Sequence, residues 1–172
     1  MPNWCDNEVV ITADDPKVLQ KIMEIAPGEE TKFSMENFVP TPDEFPEGQS
    51  NRDWYDWRVN NWGTKWDLGE VYINQLGESI SLGYSTAWSP NVNFWAEFSK
   101  LYPVKISHRY FEEGMCFIGE AEIENGKIDD FCVEIDERVY KAAGAILDAD
   151  GNVDWEIDQE YNLYDVFPLR GY

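Results

Sequence analysis

Apolar and polar residues alternate at period two in some stretches and recur at helical spacing in others, and these two periods divide the chain into elements. Asn7–Thr12 reads as a short strand bounded by polar residues. Asp14-Asp15-Pro16 then supplies an N-cap and a first-turn proline, and Val18, Leu19, Ile22, Met23 and Ile25 follow near helical spacing until Pro27-Gly28 stops the helix. Three prolines and several acids make a loop of Phe38–Gly48. Val71–Leu76 and Ser79–Ser85 are strands around a Gly77-Glu78 turn. Ser89-Pro90 opens a helix with Val92, Phe94, Trp95, Phe98 and Leu101 on its apolar side, and Pro103 ends it. Val104–Phe111 and Met115–Glu124 alternate with period two about the Glu112-Glu113-Gly114 turn, and Asn125-Gly126 is a hairpin signal that returns the chain along Lys127–Ile135. Arg138–Leu147 reads as a last short helix, and an acidic, aromatic tail runs on to Tyr172.

The order is β-α, an aromatic insertion, β-β-α, then a three-strand meander. It predicts an α+β fold with a ferredoxin-like β-α-β-β-α-β kernel and a mainly antiparallel sheet. That sheet should contain Val9–Ile11, Ile80–Tyr84, Ile106–Tyr110 and Phe117–Ala121, with helices near 16–25 and 91–101 on one face. The expected organisation is a domain over 1–126, holding the aromatic insertion at about 33–70, and an acidic extension over 127–172 packed on the same domain.

Charge changes the picture. The formal net charge is −21 on 172 residues, yet 43% of residues are hydrophobic and 15% aromatic. Disordered acidic tails are poor in aromatics, so this chain should fold and carry a strong negative field. Such a field repels nucleic acid and anionic lipid and attracts basic surfaces. Area scaling allows roughly 410 Å² of surface per net charge, against about 110 Å² on the wall of duplex DNA. Imitating DNA therefore requires clustering. Residues 1–110 hold 17 acids and 9 bases, whereas residues 111–172 hold 17 acids and only 4 bases. The last third is where a DNA-like face can exist; a solubilising coat is the competing explanation.

Residues 54–67 read Trp-Tyr-Asp-Trp-Arg-Val-Asn-Asn-Trp-Gly-Thr-Lys-Trp-Asp. Trp54, Trp57, Trp62 and Trp66 bring several large rings together, each able to bury ~150–250 Å². A lid over the core, a protein-binding patch and a base-stacking platform all use such rings. The last wants a basic channel, which this chain lacks.

At this segment the sequence resembles the YubB-like proteins of plasmids, phages and integrated islands. The matching strings are Met1-Pro2-Asn3-Trp4-Cys5 with Asn7, Tyr55-Asp56-Trp57-Arg58 with Asn61-Trp62-Gly63-Thr64-Lys65-Trp66-Asp67, Thr86-Ala87-Trp88-Ser89-Pro90, and Tyr110–Met115 through Gly119-Glu120. They span about residues 1–126, leaving the acidic tail outside. The resemblance implies a ferredoxin-like domain and a mobile-element origin. It implies no catalytic residues, because that family has no known function.

The chemistry of an enzyme is hard to find. His108 is the single histidine, on a strand beside Ile106 and Tyr110, and it reads as a structural or edge residue. There is no Walker loop and no GxGxxG. Asp148-Ala-Asp150-Gly-Asn152-Val-Asp154 alternates oxygen donors like a calcium loop, but Val153 stands where glycine is needed and Gln159 holds the twelfth position, so an acidic turn is expected. Cys5, Cys116 and Cys132 form neither a disulfide framework nor a CxxC pair, which suits a reducing cytoplasm. The N-terminus lacks the basic and apolar regions of a signal peptide, and no apolar run nears ~20 residues.

The expectation is thus a non-enzymatic interaction protein without metal or cofactor, in the cytoplasm of a bacterial host cell. It would inhibit a basic nucleic-acid-binding defence protein, such as a CRISPR effector or restriction nuclease, by DNA mimicry, without binding nucleic acid or membrane itself. Glu112, Glu113, Glu120, Glu122, Glu124, Asp129, Asp130, Glu134 and Asp136 are the candidate partner-binding carboxylates, and Trp54, Trp57, Trp62 and Trp66 the candidate aromatic patch. The alternatives are an acidic module without mimicry, and a small-ligand binder or enzyme with a Trp-lined pocket.

Overall fold

Six antiparallel strands form one sheet in a computed structural model that describes residues 3–45 and 53–170. The elements are β1 (Trp4–Thr12), α1 (Pro16–Ile25), α2 (Asp53–Trp62), β2 (Val71–Leu76), β3 (Ser79–Ala87), α3 (Val92–Leu101), β4 (Lys105–Glu112), β5 (Phe117–Glu124), β6 (Lys127–Glu134) and α4 (Glu137–Ala142). The strand order is β2-β3-β1-β4-β5-β6, so the ferredoxin-like kernel occupies β2-β3-β1-β4 and the meander adds two strands at one edge. Residues 46–48 of the expected loop, Met1-Pro2 of the first motif and the last two residues of the tail lie outside the described residues.

Alternation decides the faces. Cys5, Asn7, Val9 and Ile11 point inward from β1, and Ile106, His108 and Tyr110 do so from β4. Leu19 and Ile22 of α1 and Phe94, Trp95 and Phe98 of α3 cover this face with Phe33, Met35 and Phe38. The inner face thus makes the main core, dominated by aromatic contacts such as Phe38–Phe98 at 4.9 Å. Part of the outer face is covered too. Ile118 of β5 packs with Ile135, Val139, Leu163, Val166 and Leu169, so the C-terminal residues build a second, smaller core.

Several boundaries differ from those read in the sequence. β1 starts at Trp4 rather than Asn7, because Trp4, Cys5 and Asp6 pair with Ala87, Thr86 and Ser85 of β3. α4 stops at Ala142 rather than Leu147. Gly144 turns into the left-handed region at φ 91°, its N–H bonding the Lys141 carbonyl, and the chain leaves toward a bridge between Leu147 and Val153. The aromatic segment, given no helix by its weak periodicity, folds as α2 and is ended by Gly63 at φ 84°. A Cβ at Gly63 would also press on the Pro90 carbonyl at 2.8 Å, so glycine answers two demands there. Of the two readings of His108, structural or edge, the structure shows the first: it is wholly buried on the central strand β4. Asn125-Gly126 turns with φ of 49° and 76°, as the two-residue hairpin requires.

Candidate interaction surfaces

The nine candidate carboxylates do not share one surface. Glu122 stands directly opposite Asp129 in the β5–β6 ladder, and Glu124 opposite Lys127. These four, with Glu120, occupy the outer face. Asp130 and Glu134 alternate onto the inner face, opposite Ala121 and Phe117. Asp130 accepts a hydrogen bond from the Tyr110 hydroxyl at 2.7 Å. Burial, and then Asp130, raise the pKa of that phenol.

Internal partners take up much of the remainder. Glu112 is buried, and its two oxygens accept from the Gly114 and Met115 amides at 2.7 Å, closing the β4–β5 turn. It therefore leaves the set of surface groups. Its exclusion follows from position: at the strand end a carboxylate satisfies two turn amides that would otherwise lack acceptors. Glu113 accepts from the Tyr161 hydroxyl, and Asp136 caps α4 while pairing with Arg138. Glu120 accepts from the Arg170 amide, and the Arg170 guanidinium reaches Asp129 at 2.6 Å. The hydrogen bond from Arg170 holds the Asp129 carboxyl below the usual range. Among the described residues Glu122 and Glu124 have no ion-pair partner within 4.0 Å. The accessible area is 10314 Å² for 21 net charges, or about 490 Å² each, so a DNA-like density requires local clustering such as Glu120, Glu122, Glu124 and Asp129 on this face.

The four expected tryptophans separate. Trp62 is fully buried and its indole N–H donates to the Val39 carbonyl at 2.9 Å; Trp57 packs edge-on against it. These two do close the core. Trp54 and Trp66 remain 42% and 40% exposed, so the segment as a whole is not a lid. The reason lies in the segment's own chemistry. Asn61 bonds back to the Trp57 carbonyl and Gly63 reverses the chain. Asp67 then ties the end down by accepting from Ser34 Oγ and the Met35 amide. Trp66, between Gly63 and this anchor, is turned outward.

There it meets two tryptophans that sequence reasoning passed over. Trp88 stacks on Trp66 at 6.3 Å and 22°, and Trp4 approaches Trp66 from the other strand end at 6.2 Å. Lys65 Nζ lies 3.7 Å from the Trp66 centroid and 4.4 Å from that of Trp88. Strand parity was the available signal for Trp4, since Cys5, Asn7, Val9 and Ile11 point inward and Trp4 and Asp6 must point out. Trp88 carried no such signal, because it sits past β3 at a left-handed φ of 66°.

A buried polar chain fixes that turn. His108 Nε2 donates to Asn7 Oδ1 at 2.8 Å, Asn7 Nδ2 donates to Thr86 Oγ1 at 2.9 Å, and Thr86 donates to the Ser89 carbonyl at 2.7 Å. Ser89 Oγ in turn donates to the Gly63 carbonyl at 2.6 Å. Both loops of the tryptophan cluster are thereby tied to the sheet interior. Burial lowers the pKa of His108 to about 3, which favours the neutral imidazole in this chain of bonds.

Among the described residues no three His, Cys, Asp or Glu side chains are grouped to hold a metal ion, and no helix is long and apolar enough to cross a membrane. Asp148 accepts from the Asp150 and Asn152 amides, making the 148–154 segment a self-bonded acidic turn.

A family profile described as the ferredoxin-like domain in Api92-like protein matches residues 61–165. The match runs well past residue 126, where the sequence motifs end. The crystal structure of a protein api92 from Yersinia pseudotuberculosis superposes with a TM-score of 0.61 at 10% identity, covering 78% of this chain and 98% of that one. At that identity the likeness concerns the fold alone. No curated protein sequence matches the chain.

Proposed function

The chain belongs to the family of ferredoxin-like domains in Api92-like proteins, and from that premise we propose that it is a non-enzymatic acidic interaction protein. Its partner is a basic nucleic-acid-binding protein, which it occupies in place of DNA. The observation that carries this reading is the outer face of β5 and β6. Glu122 stands directly opposite Asp129, whose charge Arg170 offsets, and Glu124 stands opposite Lys127; among the described residues Glu122 and Glu124 themselves have no ion-pair partner within 4.0 Å. Directly opposed like charges cost stability in a sheet. A basic partner removes what Arg170 leaves of that cost, and the field of −21 speeds its approach.

The finer setting is part of the same proposal. The motifs shared with YubB-like proteins support an origin on a plasmid, phage or integrated island. A host defence protein such as a CRISPR effector or restriction nuclease is then the target class. Action in the bacterial cytoplasm, without direct contact with nucleic acid or membrane, suits the negative field.

The test is capture from a bacterial host lysate at low and at high salt, followed by DNA binding by the captured protein with and without this chain. Loss of DNA binding that is relieved by salt supports mimicry. Capture of proteins whose DNA binding is unaffected by the chain defeats it.

A further inference from the structure

Three of the fold's arginines are held by one device, whereas Arg138 pairs with Asp136 and has no ring beneath it among the described residues. Arg58 lies 4.5 Å from the Trp62 ring centroid and pairs with Glu36 at 3.2 Å. Arg109 lies 5.3 Å from Phe167 and 3.8 Å from Glu8. Arg170 lies 5.9 Å from Phe131 and 2.6 Å from Asp129. Each of these three guanidinium groups has an aromatic ring below it and a carboxylate at its edge, which suits a flat, weakly hydrated cation with donors around its rim.

Rings and carboxylates combine again without an arginine beside Trp4 and Trp66, where Lys65 Nζ lies over the Trp66 ring but does not line the cleft there. That cleft, of about 510 Å³, is lined by Trp4, Asp6, Trp66, Glu70 and Ser85 among others. β1 and β3 supply its floor, since Trp4 pairs with Ala87 and Asp6 with Ser85. The 66–70 segment, held by Asp67, supplies its wall. Asp6 accepts from the Ser85 hydroxyl at 2.7 Å and Glu70 from the Tyr72 hydroxyl at 3.2 Å. Each carboxylate keeps an oxygen available, and no lysine or arginine lines the cleft among the described residues.

We infer that this cleft receives an arginine side chain of a protein partner. The indoles accept cations, as Lys65 over Trp66 and Trp88 demonstrates. The carboxylates exclude a phosphate-bearing or acidic ligand, so base stacking is disfavoured where the rings alone would permit it. A guanidinium meets both walls at once, stacking on an indole while forming paired hydrogen bonds to a carboxylate. The inference rests on the reading of the chain as the partner of a basic protein. It adds an arginine contact at the β1–β3 end, apart from the acidic strip on β5 and β6.

The experiment titrates the full chain with a short arginine peptide blocked at both ends, and with its lysine and citrulline counterparts. Indole N–H resonances report binding, assigned through Trp4→Phe and Trp66→Phe. The expected result is a saturable shift of the Trp4 and Trp66 resonances by the arginine peptide. Asp6→Asn with Glu70→Gln should weaken it roughly fivefold or more. Glu122→Lys with Glu124→Lys should leave it nearly unchanged. Equal binding of the citrulline or lysine peptide, or shifts confined to Trp54, overturns the assignment. If the arginine peptide fails here while the chain still displaces DNA from a captured protein, the cleft alone is wrong. If the peptide binds and no DNA binding is ever displaced, mimicry falls and the cleft stands as a plain arginine site.

Discussion

His108 and Asn7, facing each other across β4 and β1, are joined by a 2.8 Å hydrogen bond whose direction the neighbours dictate. Asn7 Nδ2 already donates to the Cys5 carbonyl and to Thr86 Oγ1, so Asn7 Oδ1 is the acceptor and His108 Nε2 the donor. His108 Nδ1 is then left without a partner in the interior. A second proton there would be a buried, unpaired charge, and burial accordingly lowers the pKa to about 3.

Acid should therefore weaken the fold through this residue. The folded pKa lies below the unfolded value of about 6.5, so His108 contributes its full stability above that value and loses it as pH falls toward 3. The slope attributable to it is roughly 1.4 kcal/mol per pH unit within this window. Urea denaturation at a series of pH values, compared with His108→Gln, isolates the effect from the carboxylates. Parallel pH profiles for the two proteins would show that His108 is protonated without cost.

Two tryptophans four residues apart should respond to very different degrees. Trp62 is fully buried and hydrogen-bonded to Val39, so Trp62→Ala should cost roughly 3–5 kcal/mol. Trp66 is 40% exposed and stacked only on surface rings, so Trp66→Ala should cost about 1 kcal/mol or less. Denaturant midpoints read both. A large loss for Trp66→Ala would mean that the surface cluster is a structural clamp.

Tyr110 lies across Gly119, its directly opposed residue, to reach Asp130. A Cβ at Gly119 would overlap the tyrosine ring. Gly119→Ala should therefore destabilise by roughly 1–3 kcal/mol, and Tyr110→Phe by about 1 kcal/mol through the lost hydrogen bond. The double variant keeps the clash but has no hydroxyl bond left to lose. Unchanged thermal stability in Gly119→Ala would refute the close approach.

Reversing Glu122 and Glu124 to lysine should separate binding from folding. Glu122→Lys gives Asp129 an attractive neighbour while Glu124→Lys sets a lysine against Lys127, so the two changes offset and stability should stay within about 1 kcal/mol. Association with a captured basic partner should slow and lose salt dependence. Two such reversals drawn from Asp14, Asp15 and Glu29 should do much less. Equal association rates for both sets, measured from low to physiological salt, would remove β5 and β6 from the interface.

Sequence by itself determined the sheet and its inner face. Period-two runs with turn residues at 77–78 and 125–126 leave little choice of strand, and Val9, Ile11, Ile80, Leu82 and Ile106 follow from parity. The helices α1 and α3 were equally legible, since their apolar spacing and flanking prolines are local signals. Tertiary structure decided what becomes of the groups that either environment would accept. A tryptophan suits core or surface: Trp62 went inward because α2 packs against α3 and its indole N–H finds the Val39 carbonyl, and Trp66 outward because Gly63 and Asp67 fix the backbone on either side of it. The carboxylates divided likewise, Glu112 into a turn, Asp130 to Tyr110, Glu120 and Asp129 to Arg170, leaving Glu122 and Glu124 facing solvent. Trp4, Trp66 and Trp88 meet only because β1 pairs with β3 and both ends converge on the segment after α2. Local periodicity records which side of an element a residue occupies; contacts between residues dozens of positions apart exist only once the chain has closed on itself.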